Sequence, residues 1–106
     1  MWNADDKTNA IEMTVGDYGI KLPISISNIT VGQYDEMRIK IANQNATILE
    51  LTFSNISNNS IDLELTAEQS AKLKVGQYLY SLDWYQNGSF MCNLIKRALF
   101  KVVAKV

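Results

Sequence analysis

Three features of the sequence predict an all-β protein built as a two-layer sandwich. Apolar and polar residues alternate with a period of two along most of the chain, the pattern of strands that bury one face. Turn signals rich in Asn and Gly recur roughly every ten residues, the spacing of short sandwich strands. Only one segment, after Thr66, carries a helix signature, and a Gly soon stops it.

Ile11, Met13 and Val15 alternate with Glu12 and Thr14 before a turn at Gly16-Asp17-Tyr18-Gly19. That run lacks the spacing of a dinucleotide loop and a following Lys-Ser/Thr. No long helix follows it, so a β-turn is expected, with Asp17 bonding a turn amide. In the next strand Ile20, Leu22, Ile24 and Ile26 alternate with Lys21, Pro23, Ser25 and Ser27. Pro23 cannot donate to a ladder, which places this strand on an edge or starts it near Pro23.

Met37, Ile39 and Ile41 form a clean inward face against Arg38 and Lys40. After an Asn43-Gln44-Asn45 turn, Leu49, Leu51 and Phe53 share a face, with Ile48, Glu50 and Thr52 on the other. Ile61, Leu63 and Leu65 then face in, while Asp62 and Glu64 face out. Thr66 is a helix N-cap with Glu68 and Gln69 in the first turn, and the helix is expected to run about two turns. Tyr78, Tyr80, Leu82 and Trp84 share one face of the following strand. Asn87-Gly88 is the strongest hairpin signal, tying that strand to one starting near Phe90. A last strand carries Phe100, Val102, Ala104 and Val106 on one face.

The sum is about seven antiparallel strands and one short helix. A Gly turn followed by Tyr78, leading from one sheet to the other, resembles the corner of an immunoglobulin-like sandwich. Tyr78 is expected to anchor it, its hydroxyl bonding back to backbone near the helical crossover. The domain is expected to span residues 10–106, with 1–9 a flexible N-terminal segment. In that otherwise polar segment Trp2 is the exception.

Composition narrows the function. With 106 residues the chain makes a single domain. A net charge of -1 gives no basic excess for nucleic acid, and Lys96, Arg97, Lys101 and Lys105 read as alternating solvent-facing charges on a final strand. The chain has no His, which removes the commonest general base, zinc ligand and catalytic-relay member. Its one cysteine, Cys92, rules out an internal disulfide and reads as a small buried hydrophobe.

No signal peptide is read at the N-terminus, and no apolar run approaches the ~20 residues that span a bilayer. The expectation is a chain made in a cytoplasm. Five Asn-x-Ser/Thr sites, at Asn28, Asn45, Asn55, Asn58 and Asn87, read as Asn-rich turns.

Carboxylates are the only conventional acid/base groups. Of the pairs Asp5-Asp6, Asp35-Glu36 and Asp62/Glu64, the last shares a strand face, and each reads as solvated surface. No catalytic, cofactor or metal residue is assigned, and the chain is expected not to be an enzyme. Among aromatics, Tyr78, Tyr80 and Trp84 read as core. Tyr85, opposite Trp84, and Trp2 are the candidate contact residues, Phe90 flanking the same turn.

The chain resembles the small immunoglobulin-like domains of bacteriophage structural proteins, and among them the N-terminal domain of the baseplate upper protein of phages that infect Gram-positive bacteria. The residues that carry the likeness are Ile11-Glu12-Met13-Thr14-Val15-Gly16-Asp17, Met37-Arg38-Ile39-Lys40-Ile41 and Leu63-Glu64-Leu65-Thr66-Ala67-Glu68. Leu73-Lys74-Val75-Gly76-Gln77-Tyr78-Leu79-Tyr80, the Asn87-Gly88 hairpin and Phe100-Lys101-Val102 complete it, so it runs from about Ile11 to Val103. It implies a virion component of a tail, baseplate or head appendage, assembled in the bacterial cytoplasm with other virion proteins and copies of itself. The longer relatives carry a receptor-binding region after this domain, which makes a connector or decoration role the expectation here. The alternative is a carbohydrate-binding module that contacts host cell-wall polysaccharide through Tyr85, Trp2 and the Asn-rich loops.

Overall fold

A computed structural model describes residues 3–4, 9–26, 29–32 and 34–105, with the side chains of 3–4 not described. The chain is all-β, with one short helix. Its strands are β1 (Asn3–Ala4), β2 (Ile11–Thr14), β3 (Leu22–Ser25), β4 (Glu36–Ala42), β5 (Thr47–Phe53), β6 (Ser60–Leu63), β7 (Gly76–Gln86) and β8 (Ser89–Val103). A single helical turn, α1 (Ala67–Ser70), separates β6 from β7.

Six strands form one sheet in the order β1-β2-β8-β7-β4-β5, and β3 pairs with β6 in a second sheet. The inner faces of both sheets meet in one core. Met37, Ile39 and Ile41 of β4, Leu82 of β7 and Phe100 and Val102 of β8 pack in one cluster with Ile61 and Leu63 of β6. The period-two pattern is thus obeyed along most of the strands, and Met13, Met37, Ile39, Ile41, Leu63, Leu65 and Phe100 are completely buried, whereas Ile20, read as inward, is exposed before β3 begins.

Pro23 sits on β3, an edge strand opposite Asp62, where its missing N–H breaks no ladder. Asn87 and Gly88 both take positive φ, 51° and 80°, and close β7 onto β8 in the two-residue turn whose twist suits a hairpin. Asn58 and Asn59 make a second two-residue turn, between the bridged Ser57 and Ser60. Asn55, Asn58 and Asn59 also adopt positive φ, and the Asn43 side chain accepts from the amides of Asn45 and Ala46 at 2.8 and 2.9 Å. The turn expected over Gly16 to Gly19 lies earlier, with Val15 and Gly16 at its centre and the Asp17 amide donating to the Thr14 carbonyl.

Five further expectations need correcting or refining. The large sheet is mixed, because β2 runs parallel to β8, pairing Ile11–Thr14 with Phe100–Val103. The helix is one turn, not two. Thr66 and Gln69 form a reciprocal capping box, but no apolar stripe follows to extend it, and the chain is already turning by Ala71.

The two strands expected near Phe90 and Phe100 are one 15-residue strand, kept in register with β7 by three irregularities. Phe100 and Val102 are buried on it as read, Ala104 lies exposed beyond its end, and Val106 is outside the described residues. Cys92 is exposed, as are all residues of 87–93 around the β7–β8 turn, so it is not the buried hydrophobe expected. Asn3–Ala4, inside the segment expected to be flexible, pair with β2. Trp2, Asp5, Asp6, Ser27 and Asn28 lie outside the described residues.

Candidate functional site

The three-residue surplus of β8 decides the chemistry of the outer face of the large sheet. Opposite Tyr80 stands Ala98, and opposite Leu82 stands Ile95, so Lys96 and Arg97 share the place across from Ser81. A β-bulge of this kind turns two consecutive side chains toward one face. Charges that strict alternation would have put on opposite faces of the sheet therefore lie together.

Cross-strand register arranges the outer face in rows. Leu99, Leu79, Ala42 and Thr47 form an apolar row. Beside it run Lys96 with Arg97, then Ser81, Lys40 and Glu50. The next row holds Asn93, Asp83, Arg38 and Thr52, and the last Phe90, Tyr85 and Glu36.

Side chains within the last three rows are tied together. Asp83 is buried at 4 % exposure, and its carboxylate accepts from the Asn93 amide and faces the Lys40 ammonium at 3.9 Å. Arg38 reaches Glu36 at 3.3 Å and Glu50 at 3.9 Å, and its guanidinium lies 4.0 Å from the centre of the Tyr85 ring. Partial burial works against the Arg38 charge. The Glu36 hydrogen bond, with the nearby Glu36, Tyr85 and Glu50 charges, outweighs it and holds the pKa above the ordinary arginine value. Phe90 meets Tyr85 edge-on, 5.6 Å between centres, and is itself exposed.

Two adjoining hollows on this face share Ala42, Asn43, Leu79 and Arg97, with volumes of about 390 and 310 Å³. Lys40 and Lys96 line the second and Leu99 the first, so an aliphatic floor is rimmed by cations.

The hairpin end is held from the core side. The Asp35 carboxylate accepts from the Gly32 amide at 2.9 Å, the Trp84 indole at 3.1 Å and the Gln86 amide at 3.4 Å. A Cβ on Gly32 would stand 3.3 Å from that carboxylate, so a small residue suits the position. The Gly32 amide, helped by Trp84 and Gln86, holds Asp35 below the usual carboxylate range although burial pushes the other way. The other end of the β3–β4 connection is pinned by Asn59. Its side chain accepts from Val31 N at 2.9 Å and donates to the carbonyls of Ile29 and Ile26 at 2.6 and 3.3 Å.

The Tyr78 hydroxyl bonds back to the backbone just after the helical turn, as expected, accepting from the Lys74 amide at 3.0 Å. Tyr80 is buried, donates to the Asn9 carbonyl, and is pushed up to about 12 by burial.

Tyr85 lies on the face opposite Trp84, as its place in the strand implied. Asp62 on β6 and Glu64 just beyond its end are both exposed, and Asp35 and Glu36 point to different surroundings. Among the described residues no three Cys, Asp or Glu side chains are grouped to hold a metal ion, and no helix is long and apolar enough to cross a membrane. Lys96, Arg97, Lys101 and Lys105 are all exposed, as read, but the bulge that sets Lys96 and Arg97 together across from Ser81 was not. Compared with known proteins, the chain matches no family model, no curated protein and no solved structure.

Proposed function

We propose that this chain is a non-enzymatic structural module of a bacteriophage particle, a connector or decoration protein of the tail, baseplate or head appendage, working through protein–protein contacts. The observation that carries the contact role is the outer face of the large sheet. Leu79, in the apolar row, and Phe90, in the row it shares with Tyr85 and Glu36, are exposed at opposite ends of a face whose centre is charged. Large apolar side chains on the solvent side of a sheet favour a covering partner.

Three features support an immunoglobulin-like topology. The first long strand runs parallel to the last, β3 and β6 form the opposing sheet, and Tyr78 bonds back to the backbone four residues upstream at the crossover. The phage assignment rests on the sequence resemblance from Ile11 to Val103, and fold alone does not supply it. Symmetric assembly with copies of itself is the natural use of such a module.

Binding of cell-wall polysaccharide is the less favoured function. A sugar ring needs an open aromatic face, and Arg38 already lies over the Tyr85 ring.

Density-gradient purification of particles induced from the source bacterium tests the proposal. The chain should band with the particles and be detected there by mass spectrometry. Recovery only in the soluble lysate would overturn it.

A further inference from the structure

We infer that the hollow between Leu79, Leu99 and the Lys96-Arg97 bulge docks an acidic, extended segment of a partner protein, with an apolar side chain seated on the two leucines. This builds on the contact role proposed above and names the chemistry of the partner.

Charge carries the first step. Lys96 and Arg97 are exposed, and among the described residues neither has a carboxylate within ion-pair distance. Lys40, across Ser81, adds a third cation whose attraction is shared with the buried Asp83. Among the described residues no Asp or Glu lines either hollow. A local cation excess of this kind on a chain of net charge -1 is built by the bulge, not inherited from composition.

The floor carries the second step. Leu79 is 37 % exposed on the solvent side of a central strand, with Leu99 and Ala42 beside it. Sugars and nucleic-acid bases are held by open aromatic faces. Tyr78 and Tyr80 border the hollows but are engaged elsewhere, Tyr78 at the Lys74 amide and Tyr80 at Asn9 and against Phe100 in the core. An aliphatic floor with cations on its rim fits carboxylates flanking an apolar side chain, which is a peptide's chemistry.

The test is an NMR titration of the ¹⁵N-labelled full chain with the capped peptide Glu-Glu-Leu-Glu-Glu. Amide shifts should centre on Ala42, Leu79, Arg97 and Leu99 and shrink as salt rises. Replacing the peptide's Leu by Ser, or all its Glu by Lys, should remove them. The double variant Lys96→Glu, Arg97→Glu should bind on the order of tenfold more weakly or not at all. Both positions are exposed, and should that variant misfold, the wild-type map and the peptide controls decide alone.

Absent shifts at millimolar peptide, or shifts centred elsewhere, would overturn the inference. So would a sulfated oligosaccharide or an oligonucleotide occupying these residues while the peptide does not. Particle association is read separately on density gradients, so either result stands without the other.

Discussion

Asn59 is the residue whose loss should be felt furthest from its own position. It sits just before β6 with φ of 50°, and its side chain makes three hydrogen bonds to the chain between β3 and β4. Replacing it by Ala removes the acceptor of Val31 N–H and the donor to the Ile29 and Ile26 carbonyls. At about 1 kcal/mol net for each well-made bond, and less for the 3.3 Å contact, the side chain contributes about 2–3 kcal/mol. Holding Ala at positive φ adds about 1 kcal/mol.

A total of about 3–4 kcal/mol is a large part of the 5–15 kcal/mol expected for a domain. The assay is urea unfolding followed by Trp fluorescence, with the variant expected to lose that stability at an unchanged slope. Asn59→Gly separates the two contributions, because Gly accepts positive φ but carries no side chain, at some cost in chain entropy. A Gly variant within about 0.5 kcal/mol of the parent would refute the claim that the side-chain bonds hold the loop.

Three further outcomes follow from single side chains. Tyr78→Phe should cost about 0.5–1 kcal/mol, since the Lys74 amide it releases can turn to water, and an unchanged urea midpoint would remove Tyr78 from the corner. Tyr80 should ionise near pH 12 in the folded chain, against about 10 when unfolded. Its contribution is complete below pH ~10 and lost as pH rises toward 12, so the absorbance step that Tyr80→Phe removes from an alkaline titration should lie near pH 12, and removal of a step near pH 10 would contradict its burial. Asp35 has the opposite sign. Its pKa is lowered from 3.8, so its contribution is present above that value and lost as pH falls through the folded one. The stability gap between the parent and Asp35→Asn should narrow over that range, and a constant gap would argue against the Gly32, Trp84 and Gln86 cradle.

Much of the fold was legible in the sequence because it rests on short-range rules. Period two placed Met37, Ile39 and Ile41 inside, Asn87-Gly88 fixed the β7–β8 turn, and Thr66 with Gln69 capped the helix. What escaped depends on partners far along the chain. The parallel pairing of β2 with β8 joins Ile11 to Phe100, and no local pattern encodes it. The β8 bulges are likewise set by the length mismatch of two paired strands. Counting along Asn93-Leu94-Ile95-Lys96-Arg97 alone assigns wrong faces past each extra residue. Cys92 was misplaced because strand composition does not say where along β8 burial ends, and residues 87–93 are all exposed. The candidate surface therefore had its residues visible and its geometry hidden. Tyr85 was read correctly as outward, whereas the Lys96-Arg97 pair needed the register.

Immunogold electron microscopy on induced particles, with antibody raised to this chain, tests the assembly role most directly. The account predicts label at one fixed place on the particle, at the tail tip, the baseplate or the head. Particles without label, with the protein confined to the free lysate, would contradict it.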